Sequence, residues 1–296
     1  MWGFRVGDRR VVTADGVRIA VHELGGRGTP VLFAHGAGLH GLVWRPVAEN
    51  MGADVRLVSF DGRAHGDSGP APGPELDWRG FGLDALGVID GLGLVAPFGV
   101  GHSSGATALL LAEQERPGTF GGLYCFEPVL VPADPPLGRD PDSWLAAATR
   151  RGRATFASRH EAHEHFRSRK SYAAVAPAAL RAFVDHGLAD LPGGAVRLKC
   201  SPEQEAMIYE MGAAHDAYPR LGEVRCPVVL ARGELTDAVA PGAFPDAATR
   251  LPRARIEVLA GLGHLGPLEA PAAVAASVRL FVTGEHLDEP ASGGRA

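Results

Sequence analysis

Val95-Ala96-Pro97-Phe98-Gly99-Val100-Gly101-His102-Ser103-Ser104-Gly105 runs from a short apolar strand straight into the alanine- and leucine-rich helical pattern of residues 104–114. At the junction Gly101, Ser103 and Gly105 form the pattern G-x-S-x-G in a strand-turn-helix setting. Such a turn holds the serine in a strained backbone conformation with its hydroxyl exposed. Glycines flank it because a side chain at either place would collide with neighbouring backbone. Ser103 is therefore the candidate nucleophile.

Working outward, short β-rich runs alternate with longer helical ones. Residues 10–13 and 17–24, split by Asp15-Gly16, read as a hairpin. Residues 30–34, 55–60, 95–100 and 122–126 are apolar runs, and 79–92 and 104–114 carry helical patterns. This alternation predicts an α/β fold with a mostly parallel central sheet and helices on both faces. It lapses over residues 132–220, which read as helical, charged and aromatic without a clear strand, and resumes with strands at 227–231 and 255–259 and helices near 244–251 and 271–281. The expected organisation is a core in two parts, 1–131 and 221–284, an inserted helical cap at 132–220 and a disordered tail at 285–296.

Composition agrees with a globular chain that buries a large core: of 296 residues 46% are apolar and 21% charged. The net charge of −5 supplies no positive field for nucleic acid or anionic membrane. No run approaches the roughly 20 apolar residues of a membrane helix, and residues 1–10 lack a signal-peptide core. Cys125, Cys200 and Cys226 are an odd set without C-x-x-C spacing, which suits a reduced, cytoplasmic setting. No Gly-rich phosphate loop follows a first βα turn, so no cofactor is expected. The run His160-Glu161-Ala162-His163-Glu164-His165 is not H-E-x-x-H, so it reads as a charged helix face and no metal is expected either. His65 and His102 read as packing and hydrogen-bonding residues.

A serine nucleophile needs a base, and His264 in Leu259-Ala260-Gly261-Leu262-Gly263-His264 follows the last expected strand, downstream of Ser103. Attack on a carbonyl also needs donors for the developing oxyanion. The expected donors are the backbone N–H of Ser104, next after the nucleophile, and that of Ala37 in the loop His35-Gly36-Ala37-Gly38.

Taken together, the His35-Gly36 loop, the turn Asp61-Gly62-Arg63-Ala64-His65-Gly66-Asp67-Ser68, the G-x-S-x-G elbow, residues 233–241 and Gly263-His264 resemble the α/β-hydrolase superfamily over residues 11–281. Ala64 stands where the family's D-x-R-G-H-G-x-S turn usually has glycine. The resemblance implies an α/β-hydrolase fold with a cap. It also implies a serine enzyme that hydrolyses a small, apolar carboxylic ester or lactone through an acyl-enzyme. Ser103 speaks against the haloalkane dehalogenases and epoxide hydrolases of this fold, which use aspartate there. Carbon–carbon bond hydrolases, cofactor-free haloperoxidases, proline aminopeptidases and receptor-like homologues share the framework and stay open. Aromatic residues of the cap, Trp144, Phe156, Phe166, Tyr172 and Tyr209, are candidates to line the pocket or to pack within the cap.

Two residues compete to orient His264. Asp237 lies where most members of the resembled family place their acid and is followed four residues later by Pro241, although its gap from Gly233 is one residue longer than usual. Glu127 ends a strand 24 residues after Ser103, an arrangement similar to that of some haloalkane dehalogenases and of a fungal lactonase group. The usual layout favours Asp237, with Glu127 as the alternative acid.

Overall fold

A computed structural model describes residues 5–284 except 14, 72, 74, 75, 239 and 241, with residues 5–10 described by backbone alone. The expected tail at 285–296 lies outside the described residues. Strands β1 (Arg5–Val12) and β2 (Arg18–Gly25) form the antiparallel hairpin, in register Arg10 with Ala20 and Val11 with Ile19. Next come β3 (Thr29–Ala34), the short helix α1 (Arg45–Ala48), β4 (Val55–Phe60), α2 (Trp78–Leu92), β5 (Phe98–His102), α3 (Ser104–Glu115) and β6 (Gly122–Phe126). Segment 132–220 contributes α4 (Trp144–Arg150), β7 (Thr155–Phe156), α5 (Arg159–Arg167), α6 (Pro177–Gly187), β8 (Leu188–Asp190), β9 (Val196–Leu198) and α7 (Pro202–Glu210). The chain then runs through β10 (Val228–Gly233), α8 (Ala243–Arg250), β11 (Ala254–Leu259), α9 (Gly266–Glu269) and α10 (Pro271–Thr283).

The large sheet has eight strands in the order β1-β2-β4-β3-β5-β6-β10-β11, parallel from β4 onward. This is the α/β-hydrolase fold. Alternate side chains of its inner strands enter two apolar layers. Val31 and Phe33 of β3 join Val100, Tyr124, Phe126 and α10 on one face. Leu32 and Ala34 join α2, α3 and α8 on the other. A period of two with both faces covered is what a buried parallel strand requires. Because β4 and β5 flank β3 on opposite sides, the chain reverses its winding there. The loops after β3 and β5 then open a crevice at the C-terminal sheet edge, where such folds bind ligands.

Two local expectations are revised. Strand β5 starts at Phe98 rather than Val95, because Val95 is exposed, Ala96 turns left-handed at φ 42° and Pro97 has no N–H to offer a ladder. Segment 132–220 contains a small antiparallel sheet in the order β7-β9-β8, beside its helices. Strands of two or three residues are too short to show alternation in a sequence. Its aromatic residues chiefly pack on one another, with ring centroids of Phe166 at 5.0 Å from Phe183, 5.3 Å from Tyr172 and 5.7 Å from Phe156. Trp144 is exposed.

Helix ends obey sequence chemistry. Asp77 caps α2 by accepting from Gly80 N–H, and Ser201 and Gln204 close a capping box on α7. Ala64 occupies φ 62°, which explains glycine's usual presence in that turn, and its N–H still bonds Gly69 O at 2.9 Å. Below the turn, Arg63 is buried between Asp84 and Asp15, at 2.8 and 2.7 Å.

Helix α3 and strand β3 approach backbone to backbone at Gly105, where a Cβ would sit 2.4 Å from the carbonyl oxygens of both Ala34 and His35. Backbone cannot yield there without moving β3. Gly105→Ala is therefore expected to cost more than about 3 kcal/mol or to prevent folding, as overpacking at its upper range does. Gly222→Ala, whose nearest neighbour is Arg250 O at 3.7 Å, should stay within about 0.5 kcal/mol of the parent. Urea unfolding of both variants checks this pair.

Candidate active site

Ser103 sits at the C-terminal end of β5 with φ 52° and ψ −122°, a conformation that side chains other than glycine rarely adopt. Its N–H bonds Phe126 O at 2.9 Å, so the parallel ladder with β6 continues to the residue that turns. A Cβ at Gly101 would lie 2.4 Å from Ala106 Cα. The two glycines of the motif are thus required by the turn itself. Ser104 opens α3, so its N–H has no intrahelical partner and points with the positive end of the helix.

Across the crevice, the loop carrying Ala37 is held at both ends by neutral imidazoles. His35 Nδ1–H donates to Gly36 O at 2.8 Å, and His35 Nε2 accepts from Gly62 N–H at 2.9 Å. His65 Nε2 accepts from Gly38 N–H at 3.2 Å while its Nδ1–H donates to Arg63 O at 2.9 Å. Each ring needs one bare nitrogen to accept from backbone, and burial enforces that state. It pushes His35 down to about 3, helped by nearby His65, and lowers His65 as well. Asp61 anchors the same corner, accepting from Gly41 N–H at 2.7 Å, Asp67 N–H at 2.8 Å and His22 at 3.0 Å. Burial alone would raise its pKa, but the His22 bond and the surrounding donors hold it well below the usual carboxylate range. Within the loop, Leu39 N–H bonds Gly36 O, and Ala37 N–H finds no acceptor among the described residues.

Glu127 follows β6 in the left-handed region, at φ 48°, with its side chain fully buried. Its carboxylate accepts from Gly233 N–H at 2.8 Å, Thr236 Oγ1–H at 2.8 Å and His264 Nδ1–H at 2.6 Å. An ionised carboxylate only accepts, so the proton rests on Nδ1 and Nε2 carries the lone pair. Asp237 is exposed, and among the described residues no hydrogen bond or ion pair joins it to His264. Of the two candidate acids, Glu127 is the one that the fold brings into hydrogen-bond contact with His264. Thr236, the residue before Asp237, bonds the same Glu127 oxygen as His264 does. Pro241 lies outside the described residues.

His264 reaches Glu127 because its loop folds over the end of β10. A Cβ at Gly233 would lie 2.2 Å from Leu262 O. Leu235 N–H bonds Leu262 O, and Gly263 N–H bonds the Glu269 carboxylate at 2.7 Å. His102 is buried beside Ser103 and donates from Nε2 to His264 O at 2.9 Å, its ring 4.9 Å from that of His264. Burial, with His264 beside it, holds His102 well below the usual imidazole range and so neutral. Gly233, Thr236 and the supporting role of His102 had no distinct sequence signal, although Thr236 precedes the residue first favoured.

A cavity of about 740 Å³ opens beside the Glu127–His264 pair and runs past Val129 and Leu130 to Tyr218, Phe244 and Arg250. The aromatic residues of segment 132–220, Trp144, Phe156, Phe166, Tyr172 and Tyr209, do not line it. In the histidine run on α5, His163 contacts Glu164 at 3.2 Å and His165 packs on Phe156. Among the described residues no group of three or more His, Cys, Asp or Glu side chains could hold a metal ion. No described helix is long and apolar enough to cross a membrane.

Comparison with known proteins agrees with this architecture. A Caulobacter sp. (strain K31) protein provisionally named the carbamate hydrolase RutD is 27% identical over 275 residues, 92% of this chain and 98% of its own length. Human monoglyceride lipase is 32% identical over 129 residues, 41% of this chain and 43% of the lipase. Among solved structures, E-2-(acetamidomethylene)succinate hydrolase superposes with a TM-score of 0.81 at 23% identity, over 95% of this chain and all of its own, a likeness of fold. The model of the alpha/beta hydrolase family matches residues 31–277. With the elbow, the crevice and the Glu127–His264 pair in the places described, this chain belongs to the alpha/beta hydrolase family.

Proposed function

We propose that the protein is a serine hydrolase that cleaves a small carboxylic ester or lactone through an acyl-enzyme. The observation that carries this reading is the 2.6 Å bond from His264 Nδ1 to a fully buried Glu127 carboxylate, at the strand end next to the strained Ser103 elbow. Glu127 fixes the imidazole tautomer that leaves Nε2 basic and stabilises the imidazolium once a proton arrives. His264 then takes the Ser103 proton as Oγ attacks the carbonyl carbon. The carbonyl oxygen becomes an oxyanion held by the N–H groups of Ala37 and Ser104. Collapse expels the alcohol, which takes the proton from His264. Water activated by the same imidazole attacks the acyl-enzyme and releases the acid and Ser103.

Substrate selection falls to two places. The cavity past Val129 to Phe244 suits an apolar moiety, and segment 132–220 acts as the cap, with α7 over the crevice. A carbamate and a monoglyceride, the substrate classes in the relatives' names, are acyl compounds that the same steps would open. No step calls for a metal or an organic cofactor.

Ser103→Ala should lose at least about 10³-fold in kcat for p-nitrophenyl esters while melting near the parent temperature. A fluorophosphonate probe should label Ser103 in the wild type alone. Turnover that survives in Ser103→Ala would overturn the reading.

For the acid, Glu127→Gln should lower kcat by roughly 10⁴, the size of a tautomer defect in a serine protease, whereas Asp237→Asn should stay within about threefold. Thermal melts separate lost activity from lost fold. A large loss in Asp237→Asn with near-normal Glu127→Gln would hand the role back to Asp237.

A further inference from the structure

Helix α7 lies across the loop that carries Ala37. Ile208 and Met211, with Met207, share one apolar cluster with Ala37 and Val129, so the helix bridges the two sides of the crevice. One turn earlier on the same face, Glu205 presses its carboxyl onto Gly38, next to Ala37. A Cβ at Gly38 would lie 2.6 Å from the carboxyl carbon and 2.7 and 2.8 Å from its oxygens. Gly38 is therefore required both by its φ of 72° and by the acid that rests on it.

The carboxyl is part-buried, and one side-chain donor reaches it among the described residues. Tyr209 Oη–H donates to Oε1 at 2.8 Å, and no cation pairs with Glu205 among the described residues. Lys199, on the approach to the same helix, is committed to Asp67 at 2.7 Å. A carboxylate can accept about four hydrogen bonds, and with Tyr209 on Oε1 the other oxygen stays open to water or to a ligand. Loss of hydration raises its pKa, opposed only by the Tyr209 bond. An acid that rests on the loop of Ala37 and keeps one oxygen free of protein donors among the described residues is placed to bind a substrate group there.

We infer that Glu205 forms a polar subsite for a hydrogen-bond-donating group of the substrate, a hydroxyl or an ammonium, carried close to the scissile carbonyl. The inference rests on the proposed function for what Ala37 holds. The donor would bind Oε2 while the carbonyl faces Ala37 N–H, so Glu205 selects substrates by a group one or two carbons from the bond that breaks. A site built to bond a donor discriminates strongly against analogues that lack it, because the acid is then left unpaired.

Binding is the readout, in a Ser103→Ala background, so that no ester is consumed. The probes are ethyl propionate, ethyl glycolate and glycine ethyl ester, which place methyl, hydroxyl or ammonium at one position, together with their one-carbon homologues. Calorimetric titration should show the hydroxyl or ammonium ester binding at least about tenfold tighter than the methyl ester at one of the two chain lengths. Glu205→Leu should erase that preference. Glu205→Gln, which keeps an acceptor and loses the charge, should retain the hydroxyl preference and lose any ammonium preference. Tighter binding of the ammonium esters would assign a cationic substrate class, and of the hydroxyl esters a neutral one. Equal binding of methyl, hydroxyl and ammonium esters in the parent, or a preference that survives Glu205→Leu, would overturn the inference. Failure of the wild type to hydrolyse any ester would count against the proposed function and leave this result standing.

Discussion

A carboxylate buried at the edge of a parallel sheet is stable only if donors surround it, and Glu127 draws its donors from chain segments that are far apart in sequence. Gly233 N–H comes from the end of β10, the Thr236 hydroxyl from the loop after it, and His264 Nδ1–H from the loop after β11. These bonds tie the two parts of the core, one on either side of segment 132–220 in the chain, to each other. Each donor offsets part of the cost of that buried charge, so Glu127 couples the geometry of the crevice to the end of the β6–β10 ladder.

On the opposite side of the crevice the same problem is solved without net charge. His35 and His65 hold the loop of Ala37 through neutral rings whose nitrogens alternate between donor and acceptor. Burial favours the uncharged form, and the uncharged form is the one that can accept from Gly62 and Gly38. Solvation and hydrogen bonding thus demand the same protonation state. Asp61, with its backbone donors and His22, supplies the fixed negative corner against which this loop packs.

The parts that were legible in the sequence are those whose cause is local. Strands β3 and β6 show as continuous apolar runs because both faces are covered, and the elbow shows because only glycine fits beside Ser103. These local signals set the fold and the positions of Ser103 and His264 along the chain. The partner of His264 was not among them, because it depends on where two loops meet in space. The sequence around Asp237 carries the familiar proline four residues on, whereas the case for Glu127 rests on its position beside β5 and on a left-handed backbone that no letter announces. The small sheet of β7, β8 and β9 was missed for a related reason, since its strands are too short to show a period and β7 pairs with the distant β9, Thr155 opposite Arg197.

Two of the described non-glycine residues with positive φ, Ser103 and Glu127, are also ones proposed to carry the chemistry. Ser103 and Glu127 both take positive φ, each at a cost of about 1–3 kcal/mol that the surroundings must offset. The offset is visible in the ladder. Ser103 N–H bonds Phe126 O and Glu127 N–H bonds Ala231 O, both at 2.9 Å, so regular pairing with the next strand extends to the strained residue itself. The sheet therefore fixes each peptide up to the atom before the side chain, and the turn redirects only the chain beyond that atom. A serine and a carboxylate at neighbouring strand ends are in this way aimed into one crevice by rigid elements, with the imidazole brought in by a loop that Gly233 allows to cross β10. On the proposed chemistry, precision at the reacting atoms derives from the sheet, and substrate choice from the segments laid over it.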